Sequence, residues 1–148
     1  MDRLYNNEAF LGYVILLLLK VGDMDMVRLA IVIPLLVNDK IRNRLSRYKD
    51  ESLLDNVRYC YAGLTLNRIY QEMLIIEINS LVMLSQADLV LIKKDKISLT
   101  EKGGEVLKDI RQVNSNRLNG ILTAKNSILK RVNKMSTEQL YKALNIQL

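Results

Sequence analysis

The stretch 85–107, with the sequence SQADLVLIKKDKISLTEKGGEVL, most constrains what this chain can fold into. Two short runs within it follow an alternating pattern, with Leu89 and Leu91 as the apolar members of the first and Ile97 and Leu99 as those of the second. Because successive side chains of a strand point to opposite faces, a period of two predicts a β-hairpin with one face on the core. Four charged residues join the runs and form the predicted tip: Lys93, Lys94, Asp95 and Lys96.

Helical patterns flank this hairpin on both sides. Apolar residues recur at helical spacing from Leu64 to Leu84, and again from Gly104 onward. A helix, a hairpin with a basic tip and a second helix form the back half of a winged-helix domain. We therefore predict a mainly α, winged-helix-like fold with one β-hairpin, a helical N-terminal half and a long C-terminal helix. The expected organisation is one domain over 1–148, with the hairpin wing at about 88–100 and a helical extension at about 104–148.

The N-terminal region predicts a buried helix. Asn6, Asn7 and Glu8 offer an N-cap, and 9–20 is then almost continuously apolar before Gly22. About twenty apolar residues are needed to cross a bilayer, so this run of about ten is too short, and we expect no membrane interaction. Acidic residues at the start and the lack of a cleavage site argue against a signal peptide. A helix that is apolar on all sides belongs in a protein core.

Two further N-terminal signals concern helix ends. Asp23 is expected to cap the next helix, with Asp25 in its first turn, where the helix dipole favours negative charge. Pro34 is expected to kink or end that helix, since proline cannot donate to the helical ladder. Asn38 and Asp39 then cap a short amphipathic helix rich in basic residues.

Basic residues are concentrated in three places. The first is the short helix just described, with Lys40, Arg42, Arg44 and Arg47, and the second is the hairpin tip with Lys93, Lys94 and Lys96. These seven residues are the candidate contacts to a protein partner or to nucleic acid. The third is 108–134, where seven basic residues face one acidic residue in a chain of net charge +6. An ordinary solvated surface is the alternative interpretation of each cluster.

The helix before the hairpin is poorly suited to DNA readout. In a DNA-binding winged helix this element enters the major groove and needs side chains that reach bases and phosphates. Arg68 and Gln71 would serve that purpose, but Glu72 and Glu77 would repel phosphates. The apolar content of the helix also predicts burial over most of its surface.

The C-terminal third is predicted to be helical. Apolar residues from Val106 to Val132 predict a long helix, with Gly120 as a candidate break, whose apolar stripe needs cover from the chain itself or from a second subunit. A homodimer through the C-terminal helices is therefore one expectation. Ser136 and Gln139 form a capping box for a last amphipathic helix, which is a common kind of docking element.

The composition excludes several kinds of chemistry. The chain has no histidine, so a hydrolase triad is not available, and a single cysteine, Cys60, excludes a disulfide framework and is compatible with a reducing cytoplasm. Acidic residues do not cluster at metal-ligand spacing, and Gly103-Gly104 lacks the Lys-Ser/Thr of a phosphate-binding loop. We therefore expect a cytoplasmic protein that is not an enzyme and has no catalytic residues, metal site or cofactor.

The order of motifs in the first two-thirds of the chain resembles a known family. Asn6-Asn7-Glu8-Ala9-Phe10 is followed by the apolar helix, by Leu29-Ala30-Ile31-Val32-Ile33-Pro34-Leu35-Leu36 and by the basic segment from Lys40 to Leu45. This order is similar to that of the middle component of bacterial three-component ABC systems, although Glu8 stands where those proteins often have proline. The resemblance covers roughly 6–107. It implies an adaptor that works with a RecF- or SMC-like ABC ATPase and a third component in defence against phage and mobile DNA.

Two further functions compete with the adaptor. A winged-helix transcriptional regulator would bind duplex DNA and dimerise through the long helix. An inhibitor encoded by a phage or plasmid could use the same fold. We expect the adaptor that the resemblance implies, with the segment from Lys40 to Lys49 and the C-terminal helices as the contact surfaces.

Overall fold

The computed structural model describes residues 3–50, 52–60, 64–109, 116–144 and 146. Within these ranges the chain is mainly helical, with eight helices and one antiparallel sheet of three strands, so the expectation of a mainly α fold with a β-hairpin is confirmed. The elements in chain order are α1 (Arg3–Val21), β1 (Met24–Asp25), α2 (Met26–Val37), α3 (Asp39–Arg47), α4 (Leu53–Cys60), α5 (Leu64–Gln86), β2 (Val90–Lys93), β3 (Lys96–Leu99), α6 (Glu101–Asp109), α7 (Asn116–Val132) and α8 (Thr137–Ala143).

The described residues belong to two compact units, and each unit is formed by two separate stretches of chain. The first unit comprises 1–30 and 72–113, and the second comprises 31–71 and 114–148. The boundaries fall within α2 and within α5. The single domain over 1–148 expected from the chain length stays a prediction.

The core of the first unit is built on α1, whose residues Val14 to Leu19 are all buried. The predicted buried helix is therefore confirmed, but its predicted N-cap is wrong, because α1 begins at Arg3 and Glu8 lies inside it. The Glu8 carboxylate instead accepts a hydrogen bond from the Asn79 amide at 3.1 Å, and its main-chain carbonyl accepts one from the Ser80 hydroxyl at 3.0 Å. These two bonds hold the start of α1 against α5.

A third strand completes the sheet, which has the order β1-β3-β2. Met24 pairs with Ile97 and Asp25 with Lys96, and the Met26 amide donates to the Asp95 carbonyl at 2.8 Å. The predicted helix cap at Asp23 and Asp25 is therefore wrong. Pairing with the hairpin satisfies the main-chain groups of 24–25, and α2 begins only at Met26.

The hairpin is present within its predicted bounds, but its first strand faces the other way. Val90 and Ile97 are buried at 3% and 0% exposure, whereas Leu91 is 58% exposed. The prediction that Leu91 faces the core is therefore wrong. The tight turn at 94–95, where Lys94 has φ 58°, pairs Ile92 with Ile97 and Val90 with Leu99 and so fixes the inward face.

In the second unit, α2 continues through Pro34 and ends at Val37, so the helix does not end at Pro34, and the kink that was the other expectation there stays a prediction. A proline inside a helix costs about 3 kcal/mol, while each fully buried aliphatic side chain contributes about 1.5–3 kcal/mol. Leu35, Leu36 and Val37 are all buried, and their burial outweighs the cost of the proline. The predicted cap of the next helix is confirmed, since the Asn38 side chain accepts from the Ile41 amide at 3.1 Å.

The C-terminal helices of the second unit largely follow the prediction. α7 runs through Gly120 without a break, and the stretch 110–115 that would join it to α6 lies outside the described residues. Six of the seven apolar side chains of α7 are buried, Leu122 is half-buried, and α7 packs against α3. The capping box of α8 is confirmed by hydrogen bonds of 2.9 and 3.1 Å between Ser136 and Gln139.

Two adjacent glycines of α6 occupy very different surroundings. A Cβ at Gly103 would overlap the Leu89 carbonyl oxygen and lie 2.7 Å from Leu99 Cδ1, whereas a Cβ at Gly104 would meet nothing within 4 Å. Thr100 holds the start of α6 in place, because its hydroxyl donates to the Asp88 carbonyl and accepts from the Gly103 amide. The lack of a side chain at Gly103 therefore allows α6 to approach the hairpin.

Gly103→Ala is expected to lower the free energy of unfolding by about 1–3 kcal/mol, because the new methyl group must displace main-chain atoms. Gly104→Ala adds the same methyl group in open space on the same helix and is expected to raise the free energy of unfolding by about 0.5–1 kcal/mol. Urea denaturation followed by circular dichroism measures both. Equal effects of the two substitutions would contradict the close approach of α6 to the hairpin.

Candidate functional site

The basic residues of α3 are not equivalent. Lys40 and Arg47 are exposed at the surface, Arg44 is half-buried, and Arg42 is buried with 5% exposure. The Arg44 guanidinium stacks on the ring of Tyr48, 3.7 Å from the ring centroid, in a cation–π contact. The predicted contact set on this helix is therefore divided between exposed side chains and side chains engaged within the unit.

Arg42 holds the end of α2 against α3. Its Nη1 donates to the carbonyl oxygens of Leu36 and Val37, at 3.0 and 3.3 Å, and its Nη2 donates to Asp39 Oδ1 at 2.6 Å. The last carbonyls of a helix lack partners within the helix and carry partial negative charge. The buried guanidinium satisfies them, which is a structural role that its position in a basic stretch did not reveal.

Two arginines of α7 also donate hydrogen bonds to main-chain carbonyls at helix ends, and they account for part of the basic excess in 108–134. Arg117 donates to the Val37 carbonyl at 3.4 Å and lies 3.8 Å from the Asp39 carboxylate. Arg131 donates to the Leu45 carbonyl at 3.1 Å, in the last turn of α3. Arginine presents several donors on a rigid fork, so one side chain can join a helix end to a neighbouring helix.

The hairpin tip belongs to the first unit, and its three predicted contact residues are exposed. Lys93 and Lys96 stand opposite each other in the strand pairing, with Lys94 in the turn between them. Like charges directly opposite on neighbouring strands destabilise a hairpin, so this arrangement is not explained by stability. The structure thus brings Lys93, Lys94 and Lys96 together, and it places Lys40, Arg42, Arg44 and Arg47 in the other unit.

An exposed apolar surface on α5 was not predicted. Ile75, Ile78, Val82 and Met83, here called the α5 face, are 66%, 48%, 49% and 50% exposed. Their spacing of three, four and one places them along one side of the helix. The expectation that α5 is buried over most of its surface is therefore wrong for this side. The sequence signal is that α5 has more apolar positions than one buried stripe needs.

The opposite exception on the same helix is Glu77, which is 2% exposed. Its Oε1 atom has no hydrogen-bond partner among the described residues. Burial raises the pKa of this carboxyl group from 4.5 to about 8, because a charge without water around it is unfavourable. The expectation that Glu77 repels phosphates at the surface is therefore wrong, since the group is buried and mostly protonated at neutral pH.

Within the described ranges, no group of three or more cysteine, aspartate or glutamate side chains is placed to hold a metal ion. Among the same residues, no helix has both the length and the apolar character needed to cross a bilayer. Comparison with known proteins finds no matching family model, no similar curated protein and no similar solved structure. Three surfaces remain as candidate sites: the α5 face, the lysines of the hairpin tip and the polar surface of α3 with α7.

Glu77→Gln is expected to remove a pH dependence of stability. Below pH 4.5 the carboxyl group is protonated in both the folded and the unfolded chain, and between about 4.5 and 8 only the unfolded chain releases the proton. The wild type therefore loses stability as the pH rises through this window, by on the order of a few kcal/mol in total. Glutamine cannot ionise, so the variant should be the more stable protein at pH 8 and above.

Urea denaturation at pH 5, 6.5 and 8.5 measures this effect. Glu105→Gln is the matched control, because Glu105 is exposed on α6 of the same unit and its replacement should leave the pH profile unchanged. Parallel pH profiles for the wild type and Glu77→Gln would show that Glu77 is ionised in the folded protein.

Proposed function

We propose that this protein is a non-enzymatic adaptor subunit of a three-component ABC ATPase system. It would bridge the ATPase and an effector in the cytoplasm, in defence against phage or other mobile DNA. The α5 face is the observation that carries this proposal. Water-exposed isoleucine and valine at helical spacing are unfavourable in an isolated protein and are typical of a helix that docks onto a partner.

A winged-helix-like arrangement is part of the proposal. The order helix, short strand, helices, long helix and hairpin, from α1 to β3, is compatible with it. The sheet order β1-β3-β2, with the hairpin in the centre and at one edge, supports it as well. In this arrangement α5 takes the position of the DNA-reading helix, but it presents apolar residues.

Docking through the C-terminal helices is less well supported. Apart from the half-buried Leu122, the apolar residues of α7 are already buried by the chain itself, and so are Leu140 and Leu144 at α8. A homodimer through these helices stays a prediction and would need other residues. The α5 face offers a partner the larger exposed apolar surface.

A DNA-binding regulator is the second candidate, and the exposed lysines of the hairpin tip favour it. Three ammonium groups on a wing can contact the phosphates of a duplex whatever its sequence. The α5 face counts against it, because isoleucine, valine and methionine donate no hydrogen bonds to bases or phosphates.

Ile78→Glu combined with Val82→Glu is expected to abolish co-purification with the ABC ATPase encoded beside this protein. Each substitution places a charge in a surface that must be desolvated on docking, so retention should fall by about tenfold or more. Leu91→Glu is the control, because it adds the same charge to an exposed leucine of the same unit outside the α5 face. A wild-type protein that ignores the ATPase, or a double variant that is retained like the wild type, would refute the adaptor.

A gel shift with duplex DNA at low salt separates the two functions. The adaptor proposal predicts no shift. A regulator would shift the DNA, and replacing Lys93, Lys94 and Lys96 together by glutamine would weaken binding at every sequence. The slope of log affinity against log salt concentration would also decrease, by the equivalent of up to about three phosphate contacts. Replacing Lys102 and Lys108 by glutamine controls for lost charge away from the hairpin tip.

A further inference from the structure

A polar groove with a volume of about 350 Å³ lies between α3 and α7 in the second unit. The two helices run side by side in the same direction, since Arg117 joins their first turns and Arg131 joins their last turns. Seven of the nine lining residues are polar and none is acidic. The other two, Gly120 and Ala124, are too small to fill the space between the helices.

Both walls of the groove carry side chains that have no hydrogen-bond partner among the described residues. These are Asn43 and Ser46 on α3, and Asn119 and Ser127 on α7. The Thr123 hydroxyl differs, because it donates to the Asn119 carbonyl of its own helix at 2.8 Å and keeps only its acceptor for the groove. Amides and hydroxyls can donate and accept, so the groove offers both kinds of group on both walls.

These groups suit a peptide main chain better than a nucleic acid. Phosphates only accept hydrogen bonds and need several cations, but of the two cationic lining residues Arg42 is engaged at the end of α2, which leaves Lys49. Unpaired bases stack on aromatic rings, and none of the nine described lining residues is aromatic. A peptide main chain carries a donor and an acceptor at each residue, which matches the walls of the groove.

The spacing of the side chains along α7 fits an extended peptide. Asn119, Thr123 and Ser127 follow one another at intervals of four residues, which is about 6 Å along a helix. An extended chain presents its N–H and C=O groups to the same side at every second residue, about 6.7 Å apart. The three side chains can therefore meet successive main-chain groups of one segment. The wall from 119 to 127 is about 12 Å long, the length of three to four extended residues.

We infer that the α3–α7 groove binds an extended peptide segment of a partner protein, and that this segment carries an acidic side chain. The amides of Asn43 and Asn119 and the hydroxyls of the groove bond to the main chain of the segment. The exposed ammonium group of Lys49 pairs with the acidic side chain, and no acidic lining residue opposes that charge. The groove and the α5 face belong to different units, so this inference does not depend on docking through α5.

The test is an NMR titration of the full chain with a capped heptapeptide of alternating threonine and valine that has aspartate at its centre. Threonine and valine favour an extended chain. The side-chain amide signals of Asn43 and Asn119 should shift with saturation as this aspartate peptide is added. A peptide with lysine in place of aspartate should bind more weakly by about threefold or more. A peptide methylated at alternate main-chain nitrogens lacks the donors that face the groove and should bind about tenfold more weakly.

Substitutions on the two walls test the same contacts from the side of the protein. Asn43→Ala and Asn119→Ala should each weaken binding of the aspartate peptide by about threefold to tenfold. Asn126→Ala is the matched control, because Asn126 is exposed on α7 but does not line the groove. Alanine is the better helix former, so none of the three variants should lower the urea midpoint. Lys49→Glu should reverse the preference, so that the lysine peptide binds more tightly than the aspartate peptide.

Several results would overturn the inference. The first is that the amide signals of Asn43 and Asn119 ignore the aspartate peptide, and the second is that the lysine peptide or the methylated peptide binds equally well. Equal losses of affinity in Asn119→Ala and Asn126→Ala would place the peptide outside the groove. A response to a single-stranded oligonucleotide without one to the aspartate peptide would assign the groove to nucleic acid instead.

Discussion

The second unit depends on one buried charge, the guanidinium of Arg42. It lies at 5% exposure against the last two carbonyls of α2 and the carboxylate that opens α3. A helix end without partners is costly inside a protein, and so is a buried cation without acceptors. Here the guanidinium supplies donors to the helix end, and the carbonyls and the carboxylate supply acceptors to the buried cation. Because α2 and α3 are separated only by Asn38, which caps α3, the direction of the chain at this corner is set by a few hydrogen bonds.

The sequence correctly predicted those features whose hydrogen bonds join residues close together in the chain. The caps at Asn38 and Ser136 involve residues three positions apart, and both are present as the sequence predicts. The apolar run of α1 likewise determined its burial, because no other environment suits a helix that is apolar on all sides. The helical class of the fold follows from such patterns.

The features that the sequence did not predict depend on pairing between strands. Asp23 and Asp25 precede a helix, but Met24 and Asp25 pair with a hairpin about seventy residues further along the chain. The inward face of β2 depends on the turn at Lys94, since a shift of one residue exchanges the two faces of a strand. The sequence could not distinguish Leu91 from Val90, because both are apolar.

The arginines and the lysines among the basic residues have different roles in the structure. The arginines Arg42, Arg117 and Arg131 donate to main-chain carbonyls of the second unit, whereas the lysines of the hairpin tip project into solvent. A count of positive charge along the chain treats the two as equal and overestimates the free basic surface. Arginine suits this structural role because its rigid fork of donors can satisfy several carbonyls at a helix end.

Helix α5 carries two unfavourable features, exposed apolar side chains and a buried carboxyl group. Their occurrence on one helix favours this helix as the functional element. Ile75 and Ile78 are exposed to water, and Glu77 between them is buried without a partner for Oε1. Reversing the burial of these positions would remove both costs, so stability alone does not explain the pattern. Proteins break such rules mainly where a function requires it. The apolar side chains of α5 are exposed and available to a partner, and its one buried acid is kept neutral by its surroundings. These properties fit a docking element better than a DNA-reading helix.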